Sequence, residues 1–216
     1  GKRYGMTTKK EWMWLFFASI FTHPILDSFT AYGTQLFAPF SDYRVAFNNI
    51  AVADPMYTLP FIIALIIMMC FKRTSSKRRL FLQIGLGISS LYMLLTLVNK
   101  YHVHGVYKQA LADQQIDYFR FQTQPTILNN ILWYGIAETT DAYFVGFYSI
   151  LDTEATINKW HKLPKNHELI EGLPTDLETL AWFSSGYYNL NETSEPNTFL
   201  FKDLRYPLMD ESDPNS

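Results

Sequence analysis

Apolar residues in this chain come in blocks the length of whole helices. Residues 56–71, MYTLPFIIALIIMMCF, carry no charge, and neither do residues 80–98, LFLQIGLGISSLYMLLTLV. At about 1.5 Å per residue the second block matches a hydrocarbon core roughly 30 Å thick, while the first is slightly short and must borrow flanking residues. An earlier run, WLFFASIF, leads into THPILDSFTAYGT, residues 22–34, and predicts a third helix over residues 12–31. Soluble helices seldom run so far without a charge, so these segments are read as membrane helices.

Beyond residue 100 the pattern changes. DYFRFQ, ILWYGIAE and AYFVGFYSIL have the aromatic and β-branched density of strands, the last two joined across TTDA as a hairpin. VYKQALADQQ keeps a helical pattern that continues the last span. Thr175 and Glu178 have capping-box spacing at the start of a short helix, GYYNLNE and TFLFKDLRY suggest a second hairpin, and DESDPNS reads as a disordered acidic tail. The expected architecture is an α-helical membrane bundle with a C-terminal extracytoplasmic α+β domain. Its membrane region is residues 1–99 (helices 12–31, 56–71 and 80–98), its α+β domain residues 100–209, and its tail residues 210–216.

Charge supplies the orientation. Residues 1–99 hold ten of the 18 Lys and Arg but only four acids, Glu11, Asp27, Asp42 and Asp54, so the second half carries eight basic against sixteen acidic side chains. The loop KRTSSKRR, residues 72–79, belongs on the cytoplasmic side, as do Lys2, Arg3, Lys9 and Lys10. Everything after residue 99 then lies outside, with Trp12 and Trp14 at the inner interface and Tyr32 and Tyr57 at the outer one. No basic stripe or nucleic-acid motif is present, which excludes a nucleic-acid partner and leaves membrane lipids. Cys70 alone forms neither an intrachain disulfide nor a cysteine-based zinc site. There is no visible signal peptide, and a chain opening on Gly1 is expected to be the later part of a longer protein.

Candidate chemistry lies in residues 22–34. On a helix Ser19, His23, Asp27, Thr30 and Thr34 fall within a sector of about 80°, a polar stripe on an apolar rod. His23 and Asp27 are one turn apart, a spacing that lets imidazole and carboxylate reach one point, whether to hold a metal or to bond each other. Pro24 removes a backbone donor and predicts a kink beside His23. Asp54 before Pro55 reads as a helix cap, and it is also the candidate second carboxylate. His102 and His104, two residues apart, diverge by about 200° on a helix and do not read as joint ligands. His161 and His167 read as isolated surface histidines.

THPILDSFTAYGTQLFAPFSDYR followed by DPMYTLP resembles the family of LexA-binding, inner-membrane-associated metal-dependent hydrolases, and TQPTILNNILWY, WFSSGYY and LFKDLRY resemble its C-terminal region. The most specific part is THPILD followed by YGTQLFAPFSD. The resemblance implies a bacterial multi-pass protein of the cell inner membrane with a divalent metal site, zinc by preference, in which His23 and Asp27 are ligands. It also implies a LexA-type protein partner. The His-x-x-x-Asp pattern is similar, locally, to that of the zinc-dependent phospholipase C and nuclease superfamily. Members of the first family carry an upstream His-Arg-Gly-x-Thr-His-Ser segment, and nothing like it occurs in residues 1–22, which implies a fragment or an inactive copy.

These readings combine into a membrane-bound metal-dependent hydrolase acting on an ester or phosphoester, with a lipid or envelope substrate. The metal, held by His23 and Asp27, is expected to activate a water, and Asp54 to serve as catalytic base or further ligand. The alternative is a non-enzymatic membrane scaffold or sensor whose external domain binds a partner.

Overall fold

The computed structural model describes residues 7–170, 174–196 and 198–206. Lys2, Arg3 and the tail 210–216 lie outside the described residues. Helix α1 (Lys9–Asp27) opens on a capping box: Thr8 Oγ1 accepts the Glu11 N–H at 3.3 Å, and the Glu11 carboxylate accepts the Thr8 N–H at 2.7 Å. It stops at Asp27, so Ser19, His23 and Asp27 share a helix while Thr30 and Thr34 lie in the following loop. Helix α2 (Pro55–Met69) starts as expected, with Asp54 capping Met56 N–H at 2.9 Å and Pro55 in the first turn. Helix α3 (Ser76–Asp113) is a single rod of 38 residues that passes from the apolar block directly into the second half of the chain.

The expected α-helical membrane bundle does not form. Among the described residues α3 is the one helix long and apolar enough to cross a membrane. Helix α2 has 15 residues, about 22 Å of rise, which without its flanking residues falls short of a hydrocarbon core. Helix α1 buries none of its residues and makes no substantial contact with α2 or α3. Among the described residues the one extensive helix–helix contact is between α2 and α3, an antiparallel hairpin where a Cβ added at Gly85 would lie 2.8 Å from Ala64 Cβ. Small residues there let the two backbones approach, and Ser89 Oγ donates to the Tyr57 carbonyl at 3.2 Å.

The C-terminal end of α3 lies on a four-stranded antiparallel meander of β1 (Arg120–Pro125), β2 (Leu132–Glu138), β3 (Ala142–Ser149) and β4 (Trp160–Pro164). The turn after β2 is the expected hairpin across residues 139–142, with Leu132 opposite Ser149 and Glu138 opposite Tyr143. Strand β4, WHKLP, has no distinct period-2 signature and escapes the sequence reading. Helix α4 (Thr175–Phe183) forms, but Pro174 occupies the N-cap and Thr175 is the first helical residue, with no side-chain capping bond; the expected box is absent. Strands β5 (Tyr188–Glu192) and β6 (Phe199–Asp203) make the second hairpin.

Both sheet faces are covered, which explains why β2 is apolar almost throughout. Val103, Val106, Tyr107 and Ala110 of α3 pack on Trp133 and Tyr148. Tyr134, Ile136, Tyr143 and Val145 pack on the opposite side with Tyr187 and Leu204. Tyr107 is the anchor: its hydroxyl donates to the Gly146 carbonyl at 2.8 Å, with the Trp133 carbonyl 3.1 Å away. Gly135 and Gly146 face each other across β2 and β3, and the bare surface at Gly135 admits the Tyr107 ring. A Cβ at Gly135 would overlap that ring, which its hydrogen bonds prevent from retreating. Gly135→Ala is therefore expected to destabilise the folded protein by about 1–3 kcal/mol, measured by thermal melting in detergent. Gly87→Ala, where an added Cβ meets nothing within 4 Å, should leave the melt unchanged or slightly raised.

Candidate functional site

His23 and Asp27 do meet. Their Nε2 and Oδ2 atoms are 3.3 Å apart, and both side chains are open, at 78% and 51% exposure. The helical i, i+4 spacing brings them together. Asp54 is elsewhere in its bonding: it is buried, its Oδ1 caps α2, and its Oδ2 accepts from the Tyr92 hydroxyl of α3 at 2.8 Å. Among the described residues no three His, Cys, Asp or Glu side chains gather into a group able to hold a metal. Two protein donors are one short of an ordinary catalytic zinc site, so these residues alone do not fit one.

His102, His104 and His167 are engaged separately. His102 lies 3.4 Å from the Tyr148 hydroxyl, whereas His104 stacks on Phe121 with ring centroids 4.4 Å apart. The two rings thus serve different strands, as divergence on a helix requires. Burial, followed by the charges of Lys100 and Lys108, holds His104 below the usual histidine range. His167, expected as an isolated surface residue, is partly exposed but not isolated: it stacks on Tyr188 and lies 3.0 Å from its carbonyl oxygen.

The residues that join the two halves escaped the sequence reading. Asn99 Nδ2 donates to Asn130 Oδ1 at 2.8 Å, and Asn130 Nδ2 donates to the Asn49 carbonyl at 2.7 Å. Asn49 Nδ2 donates to Thr96 Oγ1 at 2.7 Å, and Thr96 Oγ1 donates to the Met93 carbonyl at 2.7 Å. This relay ties the loop before α2 and the β1–β2 turn to α3 at the end of its apolar stretch. A second junction centres on buried Arg205, whose guanidinium bonds Asp203 at 2.6 Å, approaches the Ala31 carbonyl and lies over Phe183. Arg44 lies over Trp182 and Phe183 and donates to the Phe183 carbonyl. The available signal was modest: Asn99 closes an apolar run, and Arg205 follows Asp203 by two residues beside Tyr206.

Lys100, one residue beyond the apolar stretch, is partly exposed as a residue, but its ammonium is enclosed and donates to the carbonyl and hydroxyl of Thr123. Loss of water pushes its pKa down to about 7. Between that value and the ordinary lysine value of 10.5 the unfolded chain holds a proton that the folded chain lacks. Stability should therefore rise with pH across this window, by a few kcal/mol at most, and Lys100 should contribute no slope below it. Denaturant melts from pH 7 to 10 should show that rise in the wild type and a flatter profile in Lys100→Met.

Residues 2–103 match the model of the YdjM inner membrane protein family, a little under half of the chain, taking in α1, α2 and most of α3. The match supports an inner-membrane location; neither LexA binding nor metal-dependent hydrolysis is part of that description. Comparison with curated proteins and with solved structures finds no match.

Proposed function

We propose that the chain is an inner-membrane scaffold in which α3 crosses the bilayer and carries the sheet domain on its outer side, where that domain binds a partner. The observation that carries this reading is the relay from Asn99 through Asn130 and Asn49 to Thr96, which fixes the domain's orientation on the helix. A domain attached by a flexible linker would lose that orientation. Lys72, Arg73, Lys77, Arg78 and Arg79 cluster at the α2–α3 connection and the first turn of α3, which favours the cytoplasmic side for that end. On this topology a LexA-type protein in the cytoplasm would meet the basic connection and not the sheet domain. A reporter active only outside the cytoplasm should be active when fused to the C-terminus and inactive when inserted after Ser75. The reverse pattern would overturn the orientation.

A second reading, metal-dependent hydrolysis of an ester or phosphoester, is favoured by the open 3.3 Å pair of His23 and Asp27. It requires donors beyond the pair, and Asp54 would have to leave Tyr92 to take part as ligand or base. Metal analysis separates the readings. The scaffold reading expects equal, substoichiometric divalent metal in the detergent-purified wild type, His23→Ala and Asp27→Ala. A stoichiometric ion lost in both variants would replace it with the hydrolase reading.

A further inference from the structure

The β1–β2 turn, residues 126–131, is charge-free and ends in large aliphatic side chains turned away from the core. Ile127 is 63% exposed and Leu128 54%, with Ile131 also exposed. The whole stretch from residue 121 to 137 contains no charged side chain, whereas the opposite end of the same hairpin carries the Arg120–Glu138 ion pair at 2.6 Å. Beside the turn, the loop over residues 45–53 is also charge-free and exposes Val52. Val52 and Ile127 line one cleft of about 270 Å³ with Ala31, Pro125 and Tyr206.

The height of this surface relative to α3 is fixed by hydrogen bonds. Asn130 in the turn bonds Asn99, and Asn49 in the loop bonds Thr96. Residues 80–99 of α3 have a rise of about 30 Å, the thickness of a hydrocarbon core measured from the basic cluster that ends at Arg79. The turn and loop therefore meet α3 in the last turn of its apolar stretch, where the hydrocarbon gives way to headgroups. Leu128 has φ +65°, a conformation that a bulky residue seldom adopts. The Asn129 side chain braces it, accepting from the Ile131 and Leu132 N–H groups at 2.9 and 2.8 Å. Strain held in place at an exposed apolar tip points to a contact made by that tip.

We infer that the β1–β2 turn, with the adjacent loop at Val52, dips into the outer leaflet, so that the sheet domain rests on lipid. The inference rests on the reading of α3 as a span, and lipid is the occupant because the turn and loop are bonded to α3 at Asn99 and Thr96, among its exposed apolar side chains Leu94, Leu95 and Val98. The charge-free sequence of the turn and loop fits the acyl boundary better than a polar protein rim.

The test uses the full chain with Cys70→Ser, reconstituted in phosphatidylcholine and phosphatidylglycerol vesicles. Single spin-labelled cysteines are placed at Ile127, Leu128, Leu91 and Asp141, all exposed positions. Labels at 127 and 128 should collide severalfold more often with oxygen than with a water-soluble nickel chelate, as should the label at 91, and the label at 141 should show the reverse. Nickel-favoured labels at 127 and 128 beside an oxygen-favoured label at 91 would overturn the dipping turn and leave the span standing. Nickel-favoured labels at 91, 127 and 128 together would overturn both. Oxygen preference at 127 and 128 with nickel preference at 91 would keep the turn in lipid and overturn the span.

Discussion

The arrangement of this protein depends on polar atoms meeting at the point where an apolar helix emerges. Thr96 and Asn99 lie one turn apart on α3, and they receive the loop before α2 and the turn after β1. At a buried site a broken bond leaves a donor or acceptor without water, at a cost of about 1–3 kcal/mol. Asn130 both gives and receives through its side chain, and Asn49 gives through its amide and receives at its carbonyl, so removing either strands its neighbours. The loop, the turn and the helix must therefore be placed together or not at all. Lys100 extends the junction by one residue, binding β1 at Thr123.

The sheet domain follows from that placement. With α3 fixed, its next turns present Val103, Val106, Tyr107 and Ala110 to the sheet at helical spacing. A tyrosine at this crossing needs room for its ring and acceptors for its hydroxyl. The facing glycines of β2 and β3 supply the room, and the Gly146 and Trp133 carbonyls supply the acceptors. Some acids of the second half are held in ion pairs, Glu138 with Arg120 and Lys165 and Asp203 with Arg205.

What was legible in the sequence was local. The hairpin over residues 131–151, the Asp54 cap and the meeting of His23 with Asp27 all arise from residues within a few positions of one another or from one strand period. The helical bundle was not legible, because apolarity reports what avoids water and not what it packs against. Helix α1 is apolar without a packed stripe, and the close contact of α2 with α3 rests on Ala64 and Gly85, small residues that leave little trace in a hydropathy pattern. The relay joins residues 31 to 81 positions apart. In a single sequence such asparagines are indistinguishable from ordinary turn formers.

The two candidate carboxylates differ in how readily each can change partners. His23 and Asp27 bond across an exposed helix face, where such a pair contributes well under about 1 kcal/mol and yields easily to a competing ligand. Asp54 is buried, caps α2 through one oxygen and holds Tyr92 through the other. Withdrawing it would expose a helix start and strand a tyrosine hydroxyl between two packed helices. Any ligand exchange near the end of α1 therefore falls first to the open pair. Asp54 remains with the packing, because the bonds that position it are also those that align α2 against α3.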